Sequence, residues 1–262
     1  MLKRRLIPKL QLKRRPFGKT TRMVLVTTVQ FRDTIDVGDA VSQAKIYQAQ
    51  SADELIFVDI DASVENRGNI VDVVRKASEE ILMPITVGGG VRSMADVRLL
   101  LSNGADKVSI NTGAVENPDL INEASAAFGA QCVVIAIDYR KHDDGTYSAW
   151  TRSGRERAPL DPVSWAVEAE RRGAGEILLT SIDRDGTGKG LDLELTRQVV
   201  DRVTVPVITS GGCGLASHFS DAFIKGGADA VSAGSYFCLK DQNPMQARAH
   251  IKNSGIDIRL HK

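Results

Sequence analysis

Short apolar runs rich in valine and isoleucine recur along the chain, and polar stretches with helix signals separate them. Near-continuous apolarity in runs of this length is typical of strands buried on both faces, as in a parallel sheet covered by helices. Eight such strands, each followed by a helix, in about 250 residues predict a (β/α)8 TIM barrel. The runs lie at positions 5–11, 54–60, 84–87, 107–110, 133–138, 176–181, 205–210 and 230–234.

The polar stretches carry recognisable helix starts and ends. An N-cap residue followed by proline predicts helix starts at Asn117, Asp161 and Asn243. Ser93 and Asp96 form a variant of the capping box. Glycines follow four expected helix ends, where a residue with left-handed backbone is favoured. These glycines are Gly104, Gly129, Gly173 and Gly226.

The strand pattern occurs twice, about 122 residues apart. Segments that stay in step over half a chain indicate two copies of one multi-element unit. An open doubly wound sheet is the alternative fold, but it does not explain this duplication. We therefore expect one barrel domain over residues 1–262, built from half-barrels at about 1–130 and 131–262. The matched pairs are Glu54 with Glu176, Gly89 with Gly211, and Asp106 with Asp229.

Two segments are longer than ordinary connections between strand and helix. Positions 12–36 form a basic, glycine-poor connection after the first strand, and positions 139–159 follow the fifth. In the second segment, 143–146 can turn a small hairpin into a strand at 147–150. Long strand-to-helix loops of a barrel lie at the face that carries the active site.

Bulk composition excludes several classes of protein. The net charge is +1, so no global field draws the chain to nucleic acid or to an acidic membrane. Its three cysteines have no metal-binding spacing, which argues against a disulfide framework or a zinc site and favours a cytoplasmic location. No apolar run reaches 18 residues, so we expect no membrane span. We expect no metal and no cofactor.

The first acidic residue is Asp33, and the preceding 32 residues are rich in lysine and arginine. A targeting peptide has this composition, although positions 6–12 read better as a strand than as an amphipathic helix. Three interpretations stay open. The basic segment is a cleaved presequence, a solvated loop, or a loop that covers an anionic substrate.

Glycine turns end two matched strands. Each turn lets a backbone approach an anion closely, and each leads to a helix N-terminus with unpaired N–H groups. A small polar turn follows one strand later in both halves. The chain is therefore predicted to hold two phosphate sites across the barrel mouth, fitting a long bisphosphate. The first site comprises Gly90, Asn111 and Thr112, and the second comprises Gly212, Gly234 and Ser235.

Asp138 ends the fifth strand, where a carboxylate can act as general acid or base. A loop cap is the alternative role for an aspartate at such a place. The matching position in the first half-barrel is Gln11. An amide can form hydrogen bonds there, but it cannot exchange a proton near neutral pH.

Charged residues mark the opposite ends of the strands. Arg5, Glu54, Lys107 and Glu176 stand at strand starts, which we expect to be alternate strands at the bottom face. The four charges form either an ordinary solvated rim or a salt-bridged ring that closes the lower opening of the barrel.

Four motifs together resemble HisF, the cyclase subunit of imidazole glycerol phosphate synthase. They are FVDIDAS at 57–63, TVGGGVRS at 86–93, GADKVSIN at 104–111 and GAGEILLTSIDRDGT at 173–187. The resemblance implies a HisH-type glutaminase docked on the bottom face, facing Asp106. It implies that ammonia passes a gate at Arg5, Glu54, Lys107 and Glu176 and crosses the barrel to a phosphorylated substrate. It also adds Asp185 and Gly186 to the phosphate site, and Lys19 to the catalytic residues Asp138 and Gln11.

One departure from the family pattern concerns chemistry. HisF cyclases have a catalytic aspartate at the end of strand one, where this chain has Gln11. Together with the altered loop after that strand, Gln11 resembles the HisF paralogues that help supply ammonia for amidating a surface-polysaccharide sugar. Two function classes stay open: a cyclase that makes imidazole glycerol phosphate, and a subunit that activates a glutaminase and passes ammonia onward. A different phosphorylated substrate is also open.

Overall fold

The computed structural model describes residues 3–65 and 70–259, which form twelve strands and ten α-helices. The strands are β1 (Arg5–Phe17), β2 (Thr20–Val29), β3 (Asp33–Gly38), β4 (Leu55–Asp59), β5 (Ile85–Gly88), β6 (Lys107–Ile110), β7 (Val133–Lys141), β8 (Tyr147–Thr151), β9 (Glu156–Arg157), β10 (Glu176–Ser181), β11 (Val207–Ser210) and β12 (Ala230–Ala233). The helices are α1 (Ala40–Ala49), α2 (Val71–Glu80), α3 (Met94–Leu101), α4 (Thr112–Glu116), α5 (Asp119–Phe128), α6 (Pro162–Arg171), α7 (Leu193–Val200), α8 (Ala216–Ile224), α9 (Ser235–Leu239) and α10 (Pro244–Asn253).

Eight of the strands close into a parallel barrel. Their order is β1–β4–β5–β6–β7–β10–β11–β12, and β12 pairs in parallel with β1 to complete the circle. The predicted (β/α)8 barrel is confirmed. The strands β6 and β10 have the predicted bounds, because each is a short β-branched run between a glycine-ended helix and a polar turn.

The basic segment after the first strand is not the loop that we predicted. β1 continues to Phe17, turns at Gly18 and Lys19, and pairs antiparallel with β2, which in turn pairs with β3. We call the part of β1 beyond Leu12, with β2 and β3, the first arm. Its strand signal is the run from Met23 to Val29, which the density of basic residues hid. Because β1 is hydrogen-bonded to both β12 and β4, a cleaved presequence here would remove a barrel strand.

The second long segment forms the predicted hairpin. β7 and β8 pair antiparallel, with Lys141 opposite Tyr147, and β8 then pairs with β9. We call β8, β9 and the upper end of β7 the second arm. Both arms grow from matched strands, since β1 and β7 each begin a half of the chain. The duplication seen in the sequence thus includes the arms as well as the barrel strands.

Side chains alternate between two layers along each barrel strand. The outward layer packs under the helices and forms the large core, while the inward layer fills the barrel. An apolar ring lies inside the barrel near the starts of the strands. This ring consists of Ile7, Ile56, Val134, Leu178, Ile208 and Ala230, all 2% exposed or less.

Helix caps agree with the sequence at Ser93, Asp161 and Asn243, whose side chains accept from backbone N–H groups in the first turn. The start expected at Asn117 is wrong by one residue. Asn117 ends α4 instead, its N–H donating to the carbonyl of Gly113, and α5 is preceded by Pro118.

Glycines close the helices as expected at Gly104, Gly129 and Gly173, all with positive φ. Gly226 is the exception, because the left-handed residue after α8 is its neighbour Gly227 with a φ of 72°. Among the described residues, no helix combines the length and apolarity needed to cross a membrane.

Candidate active site

A cavity of about 140 Å³ opens at the carboxyl ends of the barrel strands, between the two arms. We call it the mouth cavity. Its floor consists of inward-facing side chains, including Lys9, Gln11 and Asp138, and the first glycine turn forms one wall. The two arms and the end of β4 with the segment after it, which contributes Asp59, Asp61 and Ser63, supply further walls. The contribution of the arms includes Lys13, Thr28, Phe31, Arg32, Ser153 and Arg155.

Asp138 lies on β7 and faces the cavity. Its carboxylate accepts a hydrogen bond of 2.8 Å from the side-chain amide of Asn111. Burial raises the pKa of Asp138 to about 6, and the carboxylate of Asp185 adds to this rise. The charge of Lys9 and the Asn111 amide oppose it. A carboxyl with a pKa near 6 can both take and give a proton close to neutral pH, which suits general acid–base chemistry.

Gln11 lies across the cavity from Asp138, because β1 and β7 are separated by three strands on either side of the barrel. The Gln11 side chain is 6% exposed, and its amide donates to the hydroxyl of Thr28 at 3.0 Å. The Thr28 hydroxyl donates at 2.5 Å to Asp185. Burial raises the pKa of Asp185, while Lys9 and Thr28 lower it. Gln11 is thus one end of a hydrogen-bonded chain that runs through the Thr28 hydroxyl to the carboxylate of Asp185.

Lys9 is the floor residue that the sequence analysis missed as part of the site. It lies two residues before Gln11, and the alternation along β1 turns Ile7, Lys9 and Gln11 into the barrel. It is 6% exposed, and its charge acts on both Asp138 and Asp185. The sequence did carry a signal for this position. Ile7, Lys9 and Gln11 are every second residue of one strand, so a side chain that shares the face of Gln11 is expected to point the same way.

The first predicted phosphate site borders the mouth cavity. Gly90, Asn111 and Thr112 all line it. The adjacent Gly89 has a φ of 96°, and a Cβ there would lie 2.3 Å from the carbonyl oxygen of Asp59. Only glycine fits such a close approach. The Asn111 side chain is committed to Asp138 and the carbonyl of Trp150, so a ligand would be held here mainly by backbone groups.

The second predicted phosphate site lies on the other side of the barrel, at the ends of β10, β11 and β12. Among the described residues, the lining of the mouth cavity does not include Asp185, Gly186, Gly212, Gly234 or Ser235. The turn there is closely packed. The carbonyl of Gly212 accepts from the N–H of Gly190 at 2.8 Å, and a Cβ on Gly186 would meet the carbonyl of Thr28.

The four charged residues at the strand starts form a closed ring, which we call the charged ring. Arg5 donates to Glu54 and Glu176 at 2.7 Å each, and Lys107 lies 3.0 and 2.9 Å from the same two carboxylates. Burial alone would lower the pKa of Arg5 and raise that of Glu54, but the opposite charges outweigh it in both cases. The expected alternate strands were wrong, since the ring draws on barrel strands one, two, four and six.

Two further predicted residues lie away from the cavity. Asp106 is exposed at the bottom face, and its carboxylate accepts from the N–H of Ile85 at 2.8 Å. Its repeat partner Asp229 holds Val207 in the same way at 3.0 Å, so both aspartates anchor neighbouring strands. Lys19 is exposed at the tip of the first arm and does not line the cavity. Extended strand geometry puts this tip roughly 20 Å beyond the barrel rim.

Among residues 3–65 and 70–259, no group of three or more histidine, cysteine or acidic side chains is placed to hold a metal ion. The polar groups that line the mouth cavity are amides, hydroxyls, carboxylates and cations. This set can bind an anionic ligand and transfer protons to and from it.

Two comparisons with known proteins found similarity over most of the chain. A family model described as "Histidine biosynthesis protein" matches residues 5–242. One relative, from Prochlorococcus marinus (strain MIT 9313), is 48% identical over 262 residues, which covers 100% of both chains. That relative is named "Putative imidazole glycerol phosphate synthase subunit hisF2".

Proposed function

This chain belongs to the HisF-like family of histidine biosynthesis proteins, and we propose that it is the barrel subunit of a glutamine-dependent amidotransferase of the imidazole glycerol phosphate synthase type. In this proposal a HisH-like glutaminase docks on the bottom face. Ammonia enters through the charged ring and crosses the barrel to a phosphorylated ligand in the mouth cavity. The three cysteines are free thiols, which supports a cytoplasmic location.

The observation that carries the proposal is Gln11 facing Asp138 across the cavity floor. Cyclisation by general acid–base catalysis uses two groups that exchange protons, and here only one faces the cavity from these two positions. Losing such a group typically costs a factor of about 10²–10⁴ in rate. We therefore propose that the subunit delivers ammonia for amidation of a surface-polysaccharide sugar rather than cyclising a substrate itself.

A true cyclase of histidine biosynthesis is the second candidate. Two observations favour it: the name of the relative, and the pKa of about 6 at Asp138, which suits a single residue that both takes and gives a proton. In that case the products are imidazole glycerol phosphate and AICAR.

Turnover with ammonium salt and the family's bisphosphate substrate separates the two candidates. The delivery proposal expects very low cyclase turnover in the wild type and an increase in Gln11→Asp. A wild-type turnover of about 1 s⁻¹, an ordinary enzymatic rate, would restore the cyclase assignment.

The structure sharpens what Gln11→Asp should do. A new carboxylate at position 11 would share the Thr28 hydroxyl with Asp185, and two neighbouring carboxylates repel each other. One of them then keeps its proton near neutral pH. Gln11→Glu is the matched control, because it adds the same charge on a side chain one methylene longer and should restore less turnover.

Phosphate binding is a separate test of the same proposal. We expect phosphate or sulfate to occupy sites near Gly90 and Asn111 and near Gly212 and Ser235, because each glycine turn leads to a helix N-terminus. Crystals soaked in phosphate that leave both places unfilled would count strongly against it. Thr112 and Gly234 complete the two sites, with Asp185 and Gly186 beside the second.

The docking face can be tested at Asp106. Lysine at this position would remove the strand anchor to Ile85 as well as the charge. Asp106→Asn keeps an oxygen acceptor and removes only the charge, so we expect it to fold normally and to bind a HisH-type glutaminase more weakly. Asp229→Asn makes the corresponding change in the other half-barrel, where the carboxylate also pairs with Arg4 at 2.8 Å. Equal glutaminase stimulation by both variants and the wild type would exclude a role for the Asp106 charge.

A further inference from the structure

Lys9 places a cation inside the barrel, between the apolar ring and the mouth. On the inner face of β1, Ile7 belongs to the apolar ring, Lys9 comes next, and Gln11 lies at the cavity floor. Anything that moves along the barrel axis from the charged ring to the mouth must pass the level of Lys9. The alternation along β1 turns its side chain into the barrel, where it lines the mouth cavity together with Asp138 of the opposite strand β7.

The Lys9 ammonium has no close partner among the described residues. Neither a hydrogen bond nor an ion pair within 4.0 Å joins it to residues 3–65 or 70–259. The carboxylates of Asp138 and Asp185 instead bond to Asn111 and Thr28. The charge of Lys9 lowers the pKa of both carboxylates without a direct hydrogen bond to either, and its N–H donors stay available.

Two hydroxyls inside the barrel are also unpaired. Ser210 and Ser232 are 1% and 0% exposed, and their hydroxyls make no hydrogen bond within the described part of the chain. They lie opposite each other on β11 and β12, and Ser232 is level with Ile7 on β1. By the alternation that turns Ile208 and Ala230 inward, both serines face the barrel interior. Buried polar groups without partners are uncommon and point to a ligand or a function.

These groups suit a small neutral molecule that both accepts and donates hydrogen bonds. Ammonia can accept from the Lys9 ammonium through its lone pair and donate to a serine hydroxyl. An ammonium ion has no lone pair to accept with, and the charge of Lys9 repels it. We propose that Lys9, with Ser210 and Ser232, determines which nitrogen species crosses the barrel, admitting neutral ammonia and excluding ammonium and other monovalent cations. This inference rests on the proposed function only for the identity of the molecule that passes.

Thallium(I) tests the exclusion directly, because it has the charge of ammonium and nearly its size, and it is located by anomalous scattering. Crystals of the wild type, Lys9→Met and Lys9→Gln would be soaked in a thallium(I) salt at about pH 8, above the pKa of about 6 at Asp138. We expect no thallium beside Ser210 and Ser232 in the wild type. In both neutral variants we expect thallium beside these serines, with an occupancy at least tenfold above any found there in the wild type.

Lys45→Met is the matched control. Lys45 lies on α1, far from the barrel interior, in an exposed ion pair with Glu80 of α2. The substitution removes one lysine charge there and should leave the interior free of thallium. Thallium beside the serines in the wild type, or its absence from both Lys9 variants, would overturn the proposal. Neither readout depends on a glutaminase or an acceptor. Failure of the proposed amidotransferase function would instead appear as a chain that binds no glutaminase, whatever thallium does.

Discussion

At the scale of single residues, the protonation of Asp138 is set by a balance between burial and its neighbours. Burial raises its pKa to about 6, and the Asn111 amide and the charge of Lys9 limit that rise. The folded protein therefore holds a proton at pH values where the unfolded chain, with a pKa of about 3.9, has lost it. By linkage, this carboxyl makes the fold less stable as pH rises from about 4 to about 6.

Removing the Asn111 amide should shift this balance. In Asn111→Ala the ionised carboxylate loses a hydrogen bond of 2.8 Å, so the pKa of Asp138 should rise by about 1. Titration followed by ¹³C NMR of labelled aspartate measures this directly. Asn103→Ala removes an exposed amide that bonds to Leu99 and Ser102, and it should leave the Asp138 titration unchanged. An unchanged Asp138 titration curve in Asn111→Ala would show that Asn111 does not influence the pKa of Asp138.

At the scale of elements, the capping box of α3 supports the first glycine turn. The Ser93 hydroxyl accepts from the N–H of Asp96 at 3.3 Å, and the Asp96 carboxylate accepts from the N–H groups of Arg92 and Ser93 at 3.0 Å each. These bonds fix the chain where it leaves the turn and enters the helix. The entry angle of α3 therefore depends on one serine and one aspartate.

Ser93→Ala should lower the free energy of unfolding by about 1 kcal/mol, the usual cost of losing an N-cap hydroxyl. Chemical denaturation followed by circular dichroism measures it. Ser102→Ala is the control at the other end of the same helix, where the hydroxyl donates to the carbonyl of Leu99 and accepts from the Asn103 amide at 3.5 Å. We expect a change below about 0.5 kcal/mol there, as for most surface substitutions. Equal losses in both variants would show that the cap has no special role.

The elements also show what a sequence can and cannot predict. Strands such as β6 and β10 were predictable, because an apolar run bounded by turn residues has few other solutions. The first arm was not, because basic residues broke its alternation and, apart from positions 24–28 of β2, its residues are mostly half-buried or exposed. Lys9 was missed for a related reason. A charged side chain in an apolar strand usually indicates an exposed edge strand. Only the closed barrel shows that this side chain points into the barrel interior.

At the scale of the whole molecule, the charged ring ties together strands that are far apart in sequence. Each carboxylate faces both cations, and the four side chains are 7–17% exposed. Opposite charges lower the pKa of Glu54 despite its burial. Its contribution to stability is therefore present above the unfolded value, about 4.3, and is lost as pH falls through the lower folded value.

Glu54→Gln should destabilise the fold by about 3 kcal/mol, because it leaves two buried cations facing one carboxylate. Urea unfolding at neutral pH measures the change. Glu80→Gln breaks the exposed pair with Lys45, at 2.8 Å, and should cost less than about 1 kcal/mol. A comparable effect of the two substitutions would mean that the ring behaves as a surface rim.

The parallel pairing of β1 with β12 has a consequence during synthesis. Arg5 pairs with Ala230, so β1 is synthesised long before β12, its partner in the closed barrel. At about 5–20 residues per second, that interval is on the order of 10–45 s. Throughout it, β1 is an open edge on which a second nascent chain can add a strand. Proline and inward charges blunt such edges, and β1 has Pro8 between Ile7 and Lys9. Pro8 and Lys9, which are part of the finished barrel, thus also disfavour pairing with another chain before the barrel has closed.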